Sequence, residues 1–265
     1  MPVIALLTDF GTADHYVGAM KGVMLGICPG ATFVDITHEI PPQDVLGGAL
    51  QLGACWQYFP AGTVFLAVVD PGVGSARRAI AVEADGRRFV APDNGLLTMV
   101  LRAPEGGQAH FEISNPRYAA PLVSRTFEGR DRFAPAAAWL AAGVELAALG
   151  APLSDWVRLD IPEPRDLGDR LEGEVLAVDR FGNLITNIGR GELERFIGAG
   201  GADVQVGGTR VGPLVETYAE IPSGEARPLL GSSDRLELSV NRGSAAERLS
   251  AGRSTRVAIR RAGPF

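Results

Sequence analysis

Val3-Ile-Ala-Leu-Leu-Thr-Asp-Phe-Gly11 is the stretch on which the fold turns. Five apolar residues in a row, with no polar residue alternating among them, describe a strand buried on both faces, and Thr8 and Asp9 end it. A helix follows, because Val17, Met20, Val23, Met24 and Ile27 recur at helical spacing. Thr12 or Asp14 is placed to cap its start, and Pro29-Gly30 closes it. Thr32 to Ile36 reads as a second strand, Val45, Ala49, Leu52 and Trp56 as a second helix, and Thr63 to Val69 as a third buried strand ended by Asp70. Such alternation predicts an α/β N-terminal domain with a mainly parallel sheet flanked by helices. Arg78 to Glu83 and Arg88 to Ala91 flank Asp85-Gly86 as an antiparallel hairpin, which makes the sheet mixed. Ala-rich Phe133 to Leu146 predicts one more helix on the same core.

Between Pro152 and Asp169 the chain changes character, through the polar, proline-containing run Pro162 to Asp166. Beyond it come short strands separated by Gly, Asn and Ser turns: Glu172 to Val178, Asp203 to Val206, Arg235 to Val240 and Thr255 to Arg260. Helix is expected only near Gly191 to Phe196 and Ser244 to Leu249. This pattern predicts a smaller β-rich C-terminal domain, an antiparallel sheet closing toward a barrel. The expected domains are residues 1–160 and 168–265, and 265 residues suffice for two cores.

Composition excludes several function classes. The formal charge of −6 disfavours a nucleic-acid partner, which needs a basic face. No run of about 18 apolar residues exists to span a membrane. Asp9 interrupts the opening apolar run, so no export leader is expected and the setting is cytoplasmic. Cys28 and Cys55 fall in apolar helical patterns and read as reduced core residues. His15, His38 and His110 lack metal-ligand spacing, so no metal site is expected, and each reads as a surface or helix-capping residue. Ser124 and Ser154 have no nucleophile-elbow context.

Four segments carry residues suited to chemistry. Asp9 and Asp70 each follow a strand, and ligands in open α/β sheets bind outside the carboxyl ends of the strands. Singly, each could equally cap the following turn. Asp70-Pro-Gly-Val-Gly-Ser-Ala-Arg77 lacks the Lys-Ser/Thr of a phosphate-binding loop, but its turn can return Arg77 toward Asp70. Ser124-Arg-Thr-Phe-Glu-Gly-Arg-Asp-Arg-Phe-Ala-Pro135 crowds charges ahead of a helix, as a solvated capping loop would also do. Asp179-Arg-Phe-Gly-Asn183 offers a carboxylate, an aromatic and an amide in one turn, suited to stacking and reading a base or simply to an Asx hairpin.

Taken together, Leu7-Thr-Asp-Phe-Gly11, Ala19-Met-Lys-Gly22, Val69-Asp-Pro-Gly-Val-Gly74, Ala91-Pro-Asp-Asn-Gly-Leu96, Thr126-Phe-Glu-Gly-Arg-Asp131 and Asp179-Arg-Phe-Gly-Asn-Leu184 resemble the S-adenosylmethionine hydroxide adenosyltransferase family, hydrolytic relatives of fluorinase and chlorinase. The resemblance covers nearly the whole chain. It implies hydrolysis of S-adenosyl-L-methionine by water at the ribose C5′, giving adenosine and methionine. It also implies that the sulfonium compound is substrate rather than cofactor, that no cofactor is needed, and that a homotrimer holds it between neighbouring subunits. By motif position, Asp9 resembles the ribose-gripping carboxylate. Phe181 and Asn183 resemble the adenine contacts, joined by the loop around Asn241 and Arg242. Asp179 resembles the partner of the methionine ammonium and Ser232 that of its carboxylate. Asp70 and Arg77 match two of the hydrolases' Asp, Arg, His set.

Glu128 stands where the hydrolase pattern has the His, which places it as the third catalytic candidate. Halogenases replace the Asp-Pro-Gly-Val-Gly stretch by a halide site, so Asp70 and Arg77 favour water as nucleophile. A non-catalytic S-adenosylmethionine or adenosine binder, and a halogenase-like enzyme using another nucleophile, are the alternatives.

Overall fold

A computed structural model describes residues 1–102, 107–198 and 200–262. The chain divides into two compact units, Met1–Leu159 and Asp160–Phe265.

The first unit contains β1 (Val3–Thr8), α1 (Tyr16–Ile27), β2 (Thr32–Thr37), α2 (Val45–Cys55), β3 (Val64–Val68), β4 (Ala79–Ala84), β5 (Arg87–Pro92), α3 (Thr98–Leu101), β6 (Ala109–Glu112) and α4 (Ala134–Ala141). Its sheet is ordered β2-β1-β3-β5-β4-β6. Neighbours from β2 to β5 run parallel, while β4 pairs antiparallel with β5 and β6. The sheet is therefore mixed and mainly parallel, as the alternation predicts.

Central β1 and β3 are continuously apolar because both faces are covered. Ile4, Leu6, Val64, Leu66 and Val68 pack with Met20 and Met24 of α1 and Ala137 of α4. Ala5, Leu7, Phe65 and Ala67 face the other way, onto Leu52 of α2, Trp56 and Val100 of α3. Alternate residues of one strand thus serve two cores.

Two helix ends depart from expectation. His15 occupies the start of α1 without a side-chain cap, and neither Thr12 nor Asp14 bonds there. Thr12 instead donates to Glu39 at 3.3 Å. The helix expected over Phe133 to Leu146 stops at Ala141, because Gly143 at φ +97° leaves the helical region. At its front, Gly129–Phe133 form a turn of π-helix that runs directly into α4.

The second unit contains β7 (Arg165–Asp166), β8 (Leu171–Val178), β9 (Leu184–Gly189), α5 (Arg190–Ile197), β10 (Ala202–Val206), β11 (Thr209–Pro213), β12 (Ala226–Leu230), β13 (Arg235–Val240), α6 (Ala245–Leu249) and β14 (Arg256–Arg261). Its antiparallel sheet is ordered β11-β10-β14-β8-β9-β13-β12, with β7 beside β8. Strand β8 passes from one half to the other, pairing with β14 through Leu171 to Glu174 and with β9 through Val175 to Val178. The two ends approach where Val215 bridges Leu229, with the Val215 N–H donating to Pro228 O at 3.0 Å. This nearly closed barrel encloses Val175, Leu184, Ile188, Val204, Leu236, Leu238 and Val257. Near-closure leaves little unpaired strand edge. No helix among the described residues is long and apolar enough to cross a membrane.

Candidate active site

Parallel pairing sets Thr8 opposite Val68, so β1 and β3 finish at the same edge of the first sheet. Asp9 and Asp70 both leave that edge, at the carboxyl ends where open α/β sheets bind ligands.

The loop after Asp70 folds back as its glycines suggest. Arg77 Nε donates to Asp70 Oδ1 at 2.8 Å and Oδ2 at 3.0 Å, and a second guanidinium nitrogen also bonds Oδ2. The same nitrogen, Nη2, donates to Glu128 Oε2 at 2.8 Å. Gly74 makes this junction possible: at φ +76° its Cα lies against the Arg125 carbonyl oxygen, where any Cβ would collide. The 70–77 turn is thereby pressed onto the segment that carries Glu128.

The cluster is nearly dry, with side-chain exposures of 5% for Asp70, 10% for Arg77 and 8% for Glu128. Burial opposes charge on Arg77, but its hydrogen bonds and attraction to Asp70, and then to Glu128, outweigh burial and raise its pKa further. The guanidinium also lies over the Phe133 ring, 5.1 Å from its centroid. Both Asp70 oxygens are taken by Arg77. Among the described residues Glu128 is bonded through Oε2, which also has Arg132 Nε at 3.6 Å.

Asp9 Oδ2 accepts the Gln43 N–H at 2.8 Å, with Gln43 at φ +67°. Behind Asp9 lies His38, which is buried rather than a surface or capping residue. Its ring has polar neighbours on both sides, and this explains its burial: Nδ1 is 2.8 Å from Thr8 Oγ1, and Nε2 is 3.1 Å from Asp35 Oδ1 without hydrogen-bond alignment. Thr8 Oγ1 also accepts the Phe10 N–H at 3.2 Å, and the His38 carbonyl accepts the Gly11 N–H at 2.7 Å. The end of β2 thus clamps the Thr8 to Gly11 turn. Lys21 reaches Asp35 at 2.6 Å; burial raises the Asp35 pKa, but Lys21 and His38 together bring it below its ordinary value.

Next to the turn, Phe127 packs edge to face with Phe10 at 5.9 Å and with Tyr16 at 5.1 Å, Phe10 and Tyr16 are tilted against each other at 5.9 Å, and Arg130 lies over Phe127. Arg130 is bound to buried Asp131 through Nε at 2.6 Å and Nη2 at 2.9 Å. Asp131 also accepts the Ser124 N–H at 2.8 Å.

In the second unit, Asp179 organises its own turn. Oδ1 accepts the N–H groups of Phe181 and Asn183, each at 2.8 Å, and Oδ2 accepts from the Asn183 side-chain amide at 2.7 Å. That is the Asx arrangement, and it holds Phe181 out with 77% of its surface exposed while Asn183 is buried. Asn241 donates to Ile221 O at 3.0 Å, and Arg242 is exposed at φ +60°. Ser232 lies exposed in the turn between β12 and β13.

Sequence reasoning missed three groups. Arg132 stood in a quoted segment without a role. His38 and Thr8 pair across strands and leave no sequence signal. Glu237 is buried on β13, accepting from the Tyr218 hydroxyl and from Ser239 Oγ at 3.3 Å. Burial first, then Glu237 and the Asp179 charge, push the Tyr218 phenol well above its usual pKa. Among the described residues no group of three or more His, Cys, Asp or Glu is placed to hold a metal ion.

Two family models match the chain: SAM hydroxide adenosyltransferase N-terminal domain over residues 4–150 and C-terminal domain over residues 173–258. A Thermus thermophilus protein named (R)-S-adenosyl-L-methionine hydrolase is 45% identical, covering 94% of this chain and 96% of its own. A Nocardia brasiliensis fluorinase is 34% identical over 97% of both chains. The solved structure of an uncharacterized conserved protein from Thermotoga maritima superposes with a TM-score of 0.89 at 36% identity, covering 97% of this chain and all of that one. The chain therefore belongs to the SAM hydroxide adenosyltransferase family.

Proposed function

We propose that this chain hydrolyses S-adenosyl-L-methionine at C5′, releasing adenosine and L-methionine, and that its preferred substrate is the R epimer at sulfur that its hydrolase relatives' names specify. The observation that carries the hydrolytic reading is the Asp70, Arg77 and Glu128 cluster at the carboxyl edge of the first sheet. Water attacks C5′, an O–C bond forms, and the C–S bond breaks with its electron pair returning to sulfur. The leaving group is a neutral thioether, so it needs no proton. The demand falls on the nucleophile, since water with a pKa of ~15.7 must be oriented and relieved of a proton.

Roles follow from which atoms are still free. Asp70 fixes the Arg77 fork with both oxygens and is thus a positioning residue. Arg77 orients water and stabilises developing hydroxide. Glu128 retains Oε1, and an ionised carboxylate accepts, so it takes the water's proton. Asp9 grips the ribose hydroxyls. Phe181 and Asn183 receive adenine, with Asn241 and Arg242 completing that loop. Asp179 uses three hydrogen bonds in its own turn, which leaves one of a carboxylate's roughly four lone-pair positions for the methionine ammonium. Ser232 takes the methionine carboxylate.

The working form in this proposal is a cytoplasmic homotrimer holding substrate between neighbouring subunits, without metal or cofactor. The test is turnover of each epimer in isotopically labelled water, with chelator present. Equimolar methionine and adenosine labelled at the 5′ oxygen is the expected result. Stoichiometric retention of substrate with no adenosine would make the chain a binder, and a halogenated nucleoside would make it a halogenase.

A further inference from the structure

Arg132 follows Glu128 by four residues and lies within the π-helical turn Gly129–Phe133, which Glu128 immediately precedes. Turns of this kind recur at functional sites, because one extra residue re-aims the side chains on either side. Here the turn carries three charged residues with different duties. Arg130 and Asp131 satisfy each other through two hydrogen bonds. Arg132 turns to Glu128, and its Nε stands 3.6 Å from Oε2, the oxygen that Arg77 also holds. That Nε is buried and has no hydrogen-bond partner among the described residues, although 31% of the side chain is exposed. A buried N–H without an acceptor is costly and calls for an account.

Charge supplies one. Asp70 and Glu128 bring two negative charges into a nearly dry cluster and Arg77 brings one positive charge, so Arg132 makes the balance even. A His at position 128 would be neutral or a donor and would need no second cation. Glu128 does need one, since an uncompensated buried carboxylate is strongly disfavoured. We propose that Arg132 is a positioning residue for Glu128. With Arg77 it holds Oε2 from two sides and turns Oε1 toward the attacking water. This rests on the hydrolytic reading above. Arg132 acts only through Glu128, so its importance should vanish when position 128 is no longer a carboxylate.

A double-mutant cycle tests this. Arg132→Leu should lower kcat about tenfold or more while KM changes less than about threefold, and Arg132→Lys should recover most of the rate. In a Glu128→His background, Arg132→Leu should change kcat by less than about twofold. An equal loss in both backgrounds would show a packing role and overturn the proposal, as would full activity of Arg132→Leu alone. The pairing is also read without turnover, in the urea midpoint: Arg132→Leu should lower it more in the parent than in Glu128→Gln. Equal shifts in the two would overturn the pairing. A parent chain that forms no adenosine would refute the hydrolytic reading by itself, with the urea coupling then deciding the Arg132 pairing.

Discussion

Arg77 and Glu128, 51 residues apart in sequence, meet through one hydrogen bond of 2.8 Å, and the guanidinium that makes it is already forked onto Asp70. Its position is therefore set from the Asp70 side, while among the described residues Glu128 is held through Oε2. Arg77→Lys keeps the charge but loses the planar fork, which a single ammonium cannot reproduce. We expect kcat to fall by roughly 10²–10⁴ with KM little changed. Glu128→Gln should lose a similar factor, the usual range for removing a general base, and Glu128→His should retain measurable hydrolysis. Steady-state kinetics on purified variants decides it. A Glu128→Gln enzyme as fast as the parent would leave Arg77 and Asp70 to orient the water without a base.

His38 and Thr8 stand behind Asp9 without touching the cluster. Because the His38 ring holds the Thr8 side chain, its loss should loosen the turn that aims Asp9, while the main-chain carbonyl of residue 38 still holds Gly11. His38→Ala is expected to raise KM about three- to thirtyfold with a smaller effect on kcat. If Asp9 grips ribose, inhibition by adenosine should weaken in parallel while inhibition by methionine should not. Equal weakening of both would mean general disruption rather than loss of Asp9 placement.

Asp131 gives a pH prediction. Its hydrogen bonds from Arg130 hold its pKa below the ordinary carboxylate value despite the opposing effect of burial, with the Ser124 N–H adding to them. A depressed folded-state pKa means that its stabilisation is complete above the unfolded value of ~3.9 and is lost as pH falls through the folded one. Asp131→Asn should thus lower the unfolding temperature at pH 7 by roughly 2–6 °C and flatten the acid side of the stability profile below about pH 4. Parallel profiles for variant and parent would remove Asp131 from that dependence.

The sheet of the first unit was legible because β1 and β3 are buried on both faces, and unbroken apolar runs such as Val3 to Leu7 have few other readings. Strand β6 was not, since Ala109-His-Phe-Glu112 has no periodic pattern and is a strand by virtue of the β4 edge it pairs with. In the second unit β9, β11 and β12 were missed for a related reason: Leu184-Ile-Thr-Asn-Ile-Gly189 mixes apolar and amide residues, and its ladder with β8 and β13 decides its form. At the site, Asp70 with Arg77 could be read from one glycine-rich turn. Contacts of long sequence separation, such as Arg77 to Glu128 and Tyr218 to Glu237, have no local pattern to announce them.

Phe181 offers the cleanest separation of binding from folding. An aromatic ring with 77% of its surface exposed contributes little to the barrel core, so Phe181→Ala should leave the unfolding temperature within about 1–2 °C of the parent. The Asp179 turn should survive as well, because its bonds come from the backbone N–H groups of residues 181 and 183 and from the Asn183 amide, none of which the substitution removes. If the ring stacks on adenine, its loss should cost about 1–3 kcal/mol of binding, by analogy with base stacking on aromatic side chains, or roughly five- to 150-fold in KM. A substrate analogue with the base removed should lose the distinction between parent and variant. Asn183→Ala differs in kind, since it strips Asp179 of a hydrogen bond and empties a buried site, so stability and KM should move together. An unchanged KM in Phe181→Ala would place adenine away from this turn, and the exposed ring would need another partner to explain it.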